Sequence, residues 1–280
     1  MIATKKYFVL LALVSIVFSS CKKETIDGNG NKPRRNEFST WLSKSATQYD
    51  GYILYTAKCE SWTDTNNTVH KSVNYYGTAN FYDYPLTQGL NVGNVNIGSI
   101  VLPADSIRYG RMTYAYTIAN VNDSANTTQF GNNTSFQVAG GSGYANINVN
   151  MYLPKLIYLV PEANNFATPV ILKSFLPKSI FWYNDGRNQE GVVMMVEYNG
   201  FRSNFKDPAL SGTSFFNNPV RVNDTGSSDI TEAMLVGIPS GAIITLHVGR
   251  ASEKIVTDAN GKVVVVSAMA YTSQDYIYQH

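Results

Sequence analysis

Along most of the chain apolar and polar positions alternate with a period of two, and the rhythm begins near Tyr49. "YDGYILYTAK" opens the first run, "TVHKSVNYYGTANFYDY" carries two more, and "NVGNVNIGSIVLP" sets Val95, Ile97, Ile100 and Leu102 inward. In "SIRYGRMTYAYTIAN" the shared face is Met112, Tyr114, Tyr116 and Ile118; in "GYANINVNMYLP" it is Ala145, Ile147, Val149 and Met151. Successive side chains of a strand point to opposite faces, so each run predicts a half-buried strand, and the Asn- and Gly-rich steps between runs predict turns. The rhythm resumes after Pro154 in "KLIYLV", "KSIFWYND", "GVVMMVEYNG", "GAIITLHVGR" and "KVVVVSAMAYTSQDYIYQ". No long amphipathic helix interrupts it. "TEAML" is too short to carry much helical weight, and Phe38, Trp41 and Leu42 fit either a short helix or an extended segment. The expected fold is all-β, with two β-sandwich domains (Ig-like or a related Greek key) over residues 38–152 and 153–280.

The N-terminus breaks this pattern. Lys5 and Lys6 precede an apolar run, "YFVLLALVSIVF", and then Ser19, Ser20 and Cys21. That is the layout of a secretory signal over residues 1–20. The run is shorter than the ~20 apolar residues a membrane-spanning helix needs. Residues 21–37 are polar, Gly-rich and charged, with no apolar face, and predict a flexible tether. The small Ser20 before Cys21 resembles the lipobox of bacterial lipoproteins, with Phe18 where many have leucine. That resemblance implies cleavage before Cys21 and a diacylglyceryl group on its sulfur. A free thiol would be reactive in an oxidising compartment, and several acyl chains hold a protein far more firmly than one. The expected location is the cell envelope, at the outer membrane, facing the periplasm or the cell surface.

Four stretches resemble lipoproteins of Bacteroidota-type bacteria: "SIVFSSC"; "GNVNIGSIVL" followed by "FQVAG"; "FWYNDGRNQEGVVMMVEYNG"; and "VGIPSGAIITLHVGR". The resemblance implies paired Ig-like or related β-sandwich domains and a surface or adhesion role, and it brings no catalytic residues. The surface-export signal of that family places acidic residues directly after the cysteine. Here "CKKET" offers only Glu24 early, then Asp27, which leaves the membrane face open.

Charge narrows the partners. The formal net charge is +2 and falls to about zero once Lys5 and Lys6 leave with the signal. No basic stripe is present, so nucleic acid is not an expected partner. Cys59 lacks a disulfide partner once Cys21 is acylated and reads as a half-buried structural thiol on a strand. With His70, His247 and His280 scattered, a zinc site is not expected. No GxSxG, HExxH or phosphate-binding loop occurs, and no cofactor is expected.

Two groups of residues carry candidate chemistry. "YNDGRNQEG" and "VNDTGSSD" offer oxygen ligands, with Asp185, Asn188, Glu190, Asp224 and Asp229 as calcium candidates. The spacing is not that of an EF-hand, and Asn-Asp-Gly also has a plain use in a turn. "NYYGTANFYDY" crowds aromatic rings beside amides. Trp62, Tyr75, Tyr76, Tyr82 and Tyr84 are candidate glycan contacts, and cross-strand aromatic pairing is the structural alternative. Glu60, Asp64, Asp83, Glu197 and Asp207 are the carboxylates from which a glycosidase pair would come; Glu197 shares a face with Met195 and is expected to be solvated. The sequence therefore predicts a non-catalytic, membrane-anchored interaction or adhesion module with a glycan or surface protein as partner. A carbohydrate-binding lipoprotein is the first alternative and a glycan-active enzyme the second.

Overall fold

The computed structural model describes residues 49–63, 66, 68–83, 86–108, 111–119, 124–160, 170–173, 178–199, 214–217 and 219–279. All of them lie in one compact unit, Asn36–His280. The expected signal, Cys21 and tether fall outside the described residues, as do Asp64, Tyr84 and Asp207.

The first half supplies β1 (Gly51–Thr63), β2 (Val69–Asp83), β3 (Leu86–Gly89), β4 (Val95–Ile97), β5 (Ile100–Leu102), β6 (Ala104–Arg108) and β7 (Arg111–Ala119). A single helical turn, α1 (Ser124–Thr127), precedes β8 (Asn133–Val138) and β9 (Ile147–Tyr152). Then follow β10 (Val170–Lys173), β11 (Lys178–Phe181), β12 (Val192–Asn199), β13 (Ser214–Phe216), β14 (Val220–Val222) and β15 (Ser227–Ile230). A 3₁₀ turn, Glu232–Leu235, leads into the long hairpin β16 (Ile243–Thr257) and β17 (Val263–Gln279).

These strands build an all-β protein with two major sheets. The larger runs β13-β12-β16-β17-β1-β2-β7-β6, with β10 beside β17, β14 beside β12 and β3 beside β2. The smaller is β5-β4-β8-β9, and β11 and β15 form a separate ribbon. The inward faces share one core. Ile53, Tyr55, Ala57 and Cys59 from β1 join Ile244, Leu246 and Val248 from β16, and Phe136 and Val138 from the smaller sheet. The inward set expected at Val95, Ile97, Ile100 and Leu102 is buried, as are Ile147, Val149 and Met151.

The larger sheet runs across the expected boundary at 152/153 without a break, the strands of the two halves meeting where β17 lies beside β1. β1 lies parallel to β17, from Gly51 beside Val264 to Cys59 beside Thr272. β16 pairs with the other edge of β17 along its whole length. Strands from either side of residue 153 thus meet in one continuous hydrogen-bonded layer, with β17 beside β1 as the junction, and the first strand of the fold is completed by the last. The hairpin turn is pinned as well. The Asp258 carboxylate accepts the N–H groups of Asn260 and Lys262 at 2.8 and 2.9 Å, and that of Ala145 at 2.7 Å.

The opposite face of the larger sheet is also covered at its centre. Val193, Met195, Ala251 and Met269 form a second buried cluster there. This corrects the expectation for Glu197. It does share the Met195 face, but its carboxylate is half-buried and 2.9 Å from His247 Nε2.

Candidate functional site

β16 delivers a charge into the core. Ile244, Leu246 and Val248 face inward, and the next residue in phase is Arg250, fully buried. Desolvating a guanidinium is costly unless it is paired and fully hydrogen-bonded. Asp224 accepts from Arg250 Nε at 2.6 Å and from Nη2 at 2.8 Å, a two-point pair. The carbonyl of Tyr183 takes a further short bond from Nη2, and those of Lys155 and Leu156 take Nη1 at 3.3 and 3.4 Å. Asp224 also accepts from Trp182 Nε1 and Asn188 Nδ2, both at 2.9 Å. Burial alone would raise the Asp224 pKa, but the bonds from Arg250, Asn188 and Trp182 outweigh it and hold the carboxyl below its ordinary range.

The two Asx-rich loops therefore converge, through Asn188 and Asp224. The positive charge at which they meet is the Arg250 guanidinium. Asp185, also buried, lies 2.7 and 2.8 Å from the Tyr152 hydroxyl and accepts the Lys155 N–H at 2.8 Å. Asp229 is exposed and accepts from Ser179 at 2.6 Å, while the Glu190 carbonyl accepts from Arg221 at 2.7 Å. Among the described residues no group of three His, Cys, Asp or Glu side chains could hold a metal ion. The oxygen atoms proposed as ligands at Asp185 and Asp224 are spent on donors of the chain itself.

Above this hub lies a small aromatic platform. Leu159 bridges Trp182 in antiparallel fashion, and Val160 N–H donates to the Phe181 carbonyl at 2.8 Å. On the other side Trp182 N–H donates to the Gly226 carbonyl at 2.8 Å, and Phe181 pairs with Ser227. Three extended segments thus lie side by side. Leu159 and Trp182 point down and are buried. Their neighbours point up, leaving Val160 44%, Phe181 54% and Tyr183 67% exposed. Tyr158 stands next to Tyr183, half-buried, and Lys71 Nζ sits 4.9 Å from the Tyr158 ring centroid and 5.2 Å from that of Tyr183. Gly226 has φ of 99°, and a Cβ there would lie 3.2 Å from the Trp182 carbonyl oxygen, so only glycine lets the outer segment approach without strain.

Of the expected glycan residues, Tyr75, Tyr76 and Tyr82 do not share one exposed surface. Tyr75 is fully buried, stacked against Tyr55 at 6.4 Å and tilted on Phe130 at 5.9 Å, which removes it from any platform. The reason is phase: Tyr75 is in register with the inward residue Ala57, so its ring must enter the core. Its neighbour Tyr76 faces the other way and is 36% exposed. Tyr82 is half-buried, its N–H and carbonyl both bonded to the Tyr144 hydroxyl. Trp62 lies on β1, opposite His70 of β2.

Two further constellations involve nucleophilic groups. Cys59 is buried, and burial pushes its thiol up to about 12, against the opposing influences of the Ile157 backbone and Arg250. The Tyr158 hydroxyl, itself raised by burial and then by Cys59, bonds to that thiol. On the opposite sheet face, His247 Nδ1 lies 2.9 Å from Ser273 Oγ and Nε2 lies 2.9 Å from Glu197. A hydroxyl, an imidazole and a carboxylate in series are the members of an acyl-transfer triad. That chemistry also needs donors aimed at the oxyanion. Ser273 sits mid-strand in β17, directly opposite His247. Strand N–H groups lie in the plane of the sheet, whereas a substrate would sit above it, so the trio reads as cross-strand hydrogen bonding. Glu60 forms its ion pair with Lys58 at 2.8 Å.

The sequence held a signal for the platform. Three aromatics in a row on a strand force two onto one face, and Ile180 fixes Trp182 as the inward one. Arg250 was legible too, as a cation in phase with three core residues. The chain matches no family model, no curated protein and no solved structure.

Proposed function

We propose that this protein is a non-catalytic, lipid-anchored binding module of the cell envelope, held by Cys21 and a polar tether of the kind found in Bacteroidota-type lipoproteins. Its working surface is the Phe181–Tyr183 platform. The observation that carries this reading is the pairing of exposed rings with a buried, hydrogen-bonded support. Phe181 and Tyr183 are among the most exposed apolar residues described, yet Tyr183 is tied through its carbonyl to Arg250 and the intervening Trp182 to Asp224. Exposed apolar groups set on a rigid frame lose little entropy when a partner covers them. A β-sandwich of Ig-like or related Greek-key type would suit such a role, since sandwiches display binding surfaces without needing a cleft.

The test is co-sedimentation of detergent-solubilised full-length protein with washed envelope fragments of the producing cells. A Phe181→Ser/Tyr183→Ser variant is expected to stay in the supernatant while keeping the parental melting temperature. Equal sedimentation of parent and variant would refute the assignment. Radiolabelled palmitate incorporation that disappears in Cys21→Ala tests the anchor separately.

A further inference from the structure

The same platform indicates its ligand, an inference that rests on the binding role just proposed. The exposed parts of Val160, Phe181 and Tyr183 amount to on the order of 300 Å², taking ~150–250 Å² for each aromatic side chain. A stable protein interface buries about 800 Å² on each partner. Among the described residues the patch is therefore smaller than one side of a protein interface and of the size of one or two small rings. Its rim is polar: Ser227 lies beside Phe181, with Ser179 and Asp229 two residues along the ribbon. Apolar ring faces bordered by hydroxyl and carboxylate groups suit a pyranose, whose C–H face stacks on an aromatic ring while its hydroxyls bond to the rim.

Charge refines the choice. The Lys71 ammonium is held over the Tyr158 and Tyr183 rings by their negative faces. Lys71 is exposed, and among the described residues it has no carboxylate partner. Its pairing partner on β1 is the neutral Ser61. A cation fixed at the edge of a sugar-sized apolar face, without a carboxylate partner among the described residues, complements a pyranose that carries an anionic group. We infer that the Lys71, Phe181 and Tyr183 surface binds anionic carbohydrate, with the sugar ring on the aromatic side chains and its acidic substituent on Lys71.

Both uronates and sulfated sugars offer this chemistry, and affinity electrophoresis of detergent-solubilised full-length protein distinguishes them. Gels would contain polygalacturonate, dextran sulfate or the neutral glucan laminarin, and flotation with phosphatidylglycerol vesicles would be run alongside. Retardation by either acidic polymer is expected and names its source, with little by laminarin. Tyr183→Ser or Phe181→Ser should weaken binding about tenfold, the loss of one buried aromatic contact. Lys71→Gln should weaken it about two- to fivefold and flatten its salt dependence, whereas Lys71→Arg should preserve it. Binding to neither acidic polymer, binding indifferent to Lys71→Gln, or vesicle binding abolished by the same substitutions would each overturn the proposal. If envelope sedimentation still depends on Phe181 and Tyr183 in those cases, the binding role survives and only the carbohydrate assignment falls.

Discussion

Replacing Asp224 with Asn removes one charge and almost no volume, which makes it the sharpest test of how the platform is supported. Arg250 has no exposed surface, and its only anionic partner among the described residues is Asp224, itself nearly buried. With Asn in place, the guanidinium keeps its carbonyl acceptors on Lys155, Leu156 and Tyr183 but loses its counter-charge. Breaking a buried pair from one side costs about 3–5 kcal/mol, because the remaining ion is stranded in a medium that solvates it poorly. For a domain of this size that is roughly 6–20 °C in melting temperature, and a large part of the ~5–15 kcal/mol that typically separates folded from unfolded. Urea unfolding followed by far-UV circular dichroism gives the free energy directly. The companion double variant Arg250→Met/Asp224→Leu should lose less than its single variants combined, by ~1–3 kcal/mol, since no ion is then left unpaired. Acid adds a second axis. The Asp224 pKa is lowered on folding, so its contribution is complete above the unfolded carboxylate value of about 3.9 and is lost as pH falls through the folded value. The parent should therefore lose stability below about pH 4 more steeply than Asp224→Asn. An Asn variant within ~0.5 kcal/mol of the parent, with an unchanged acid limb, would show that the pair does not hold the hub together.

Other outcomes follow from the same packing. Tyr75→Ala should cost ~3–5 kcal/mol, as for other large buried rings, whereas Tyr76→Ala next to it should stay within about 1 kcal/mol; thermal melts of the two variants check the inward and outward phases of β2. Cys59 should resist iodoacetamide at pH 8 in the folded protein and react once the chain is unfolded in guanidinium, read as a mass shift on the peptide carrying it. Because its thiol is raised to about 12 on folding, its contribution is intact below the ordinary thiol value and declines as pH rises towards the folded one, so melts from pH 9 upward should show a loss that Cys59→Ala lacks. Gly191→Ala should destabilise the 184–192 loop, since φ is 75° there and the new Cβ would clash with the Val222 carbonyl oxygen; a cost of ~1–3 kcal/mol for the backbone conformation is a lower bound, measured by urea unfolding.

Alternation along a strand reports which side chains share a face, and it was read correctly at Val95, Ile97, Ile147 and Val149. It carries no information on which strand lies alongside. The parallel union of β1 with β17 joins residues more than two hundred positions apart, and nothing local in "GYILYTAKC" or "VVVVSAMAY" encodes it. The boundary at 152/153 was placed where the rhythm resumes after Pro154, and that rhythm says nothing of the β17–β1 pairing that carries the sheet across it. The aromatic cluster failed for a different reason. Composition marks "NYYGTANFYDY" as ring-rich, but phase decides which rings are free, and Tyr75 is in phase with the core. The Asx-rich loops were identified as oxygen-rich, and their convergence is real. What composition alone did not show was the counter-charge: Arg250 stands out only when its phase with Ile244, Leu246 and Val248 is followed along β16.

One short strand then separates support from contact. On β11 and the two residues after it, Ile180 and Trp182 face the core and Phe181 and Tyr183 face outward, so consecutive positions answer to different demands. An inward substitution disturbs the Asp224–Arg250 hub and should change stability first, with binding lost only as the frame loosens. An outward substitution removes contact surface from an intact frame and should change binding first. This distinction can be measured because the frame does not depend on the exposed side chains: the bonds that fix Tyr183 and Phe181 run through their backbone carbonyls to Arg250 and Val160. If the outward variants unfolded the protein as readily as the inward ones, the rings would belong to the core of an element folded differently from the one described. The platform would then be a consequence of packing and not a surface set aside for a partner.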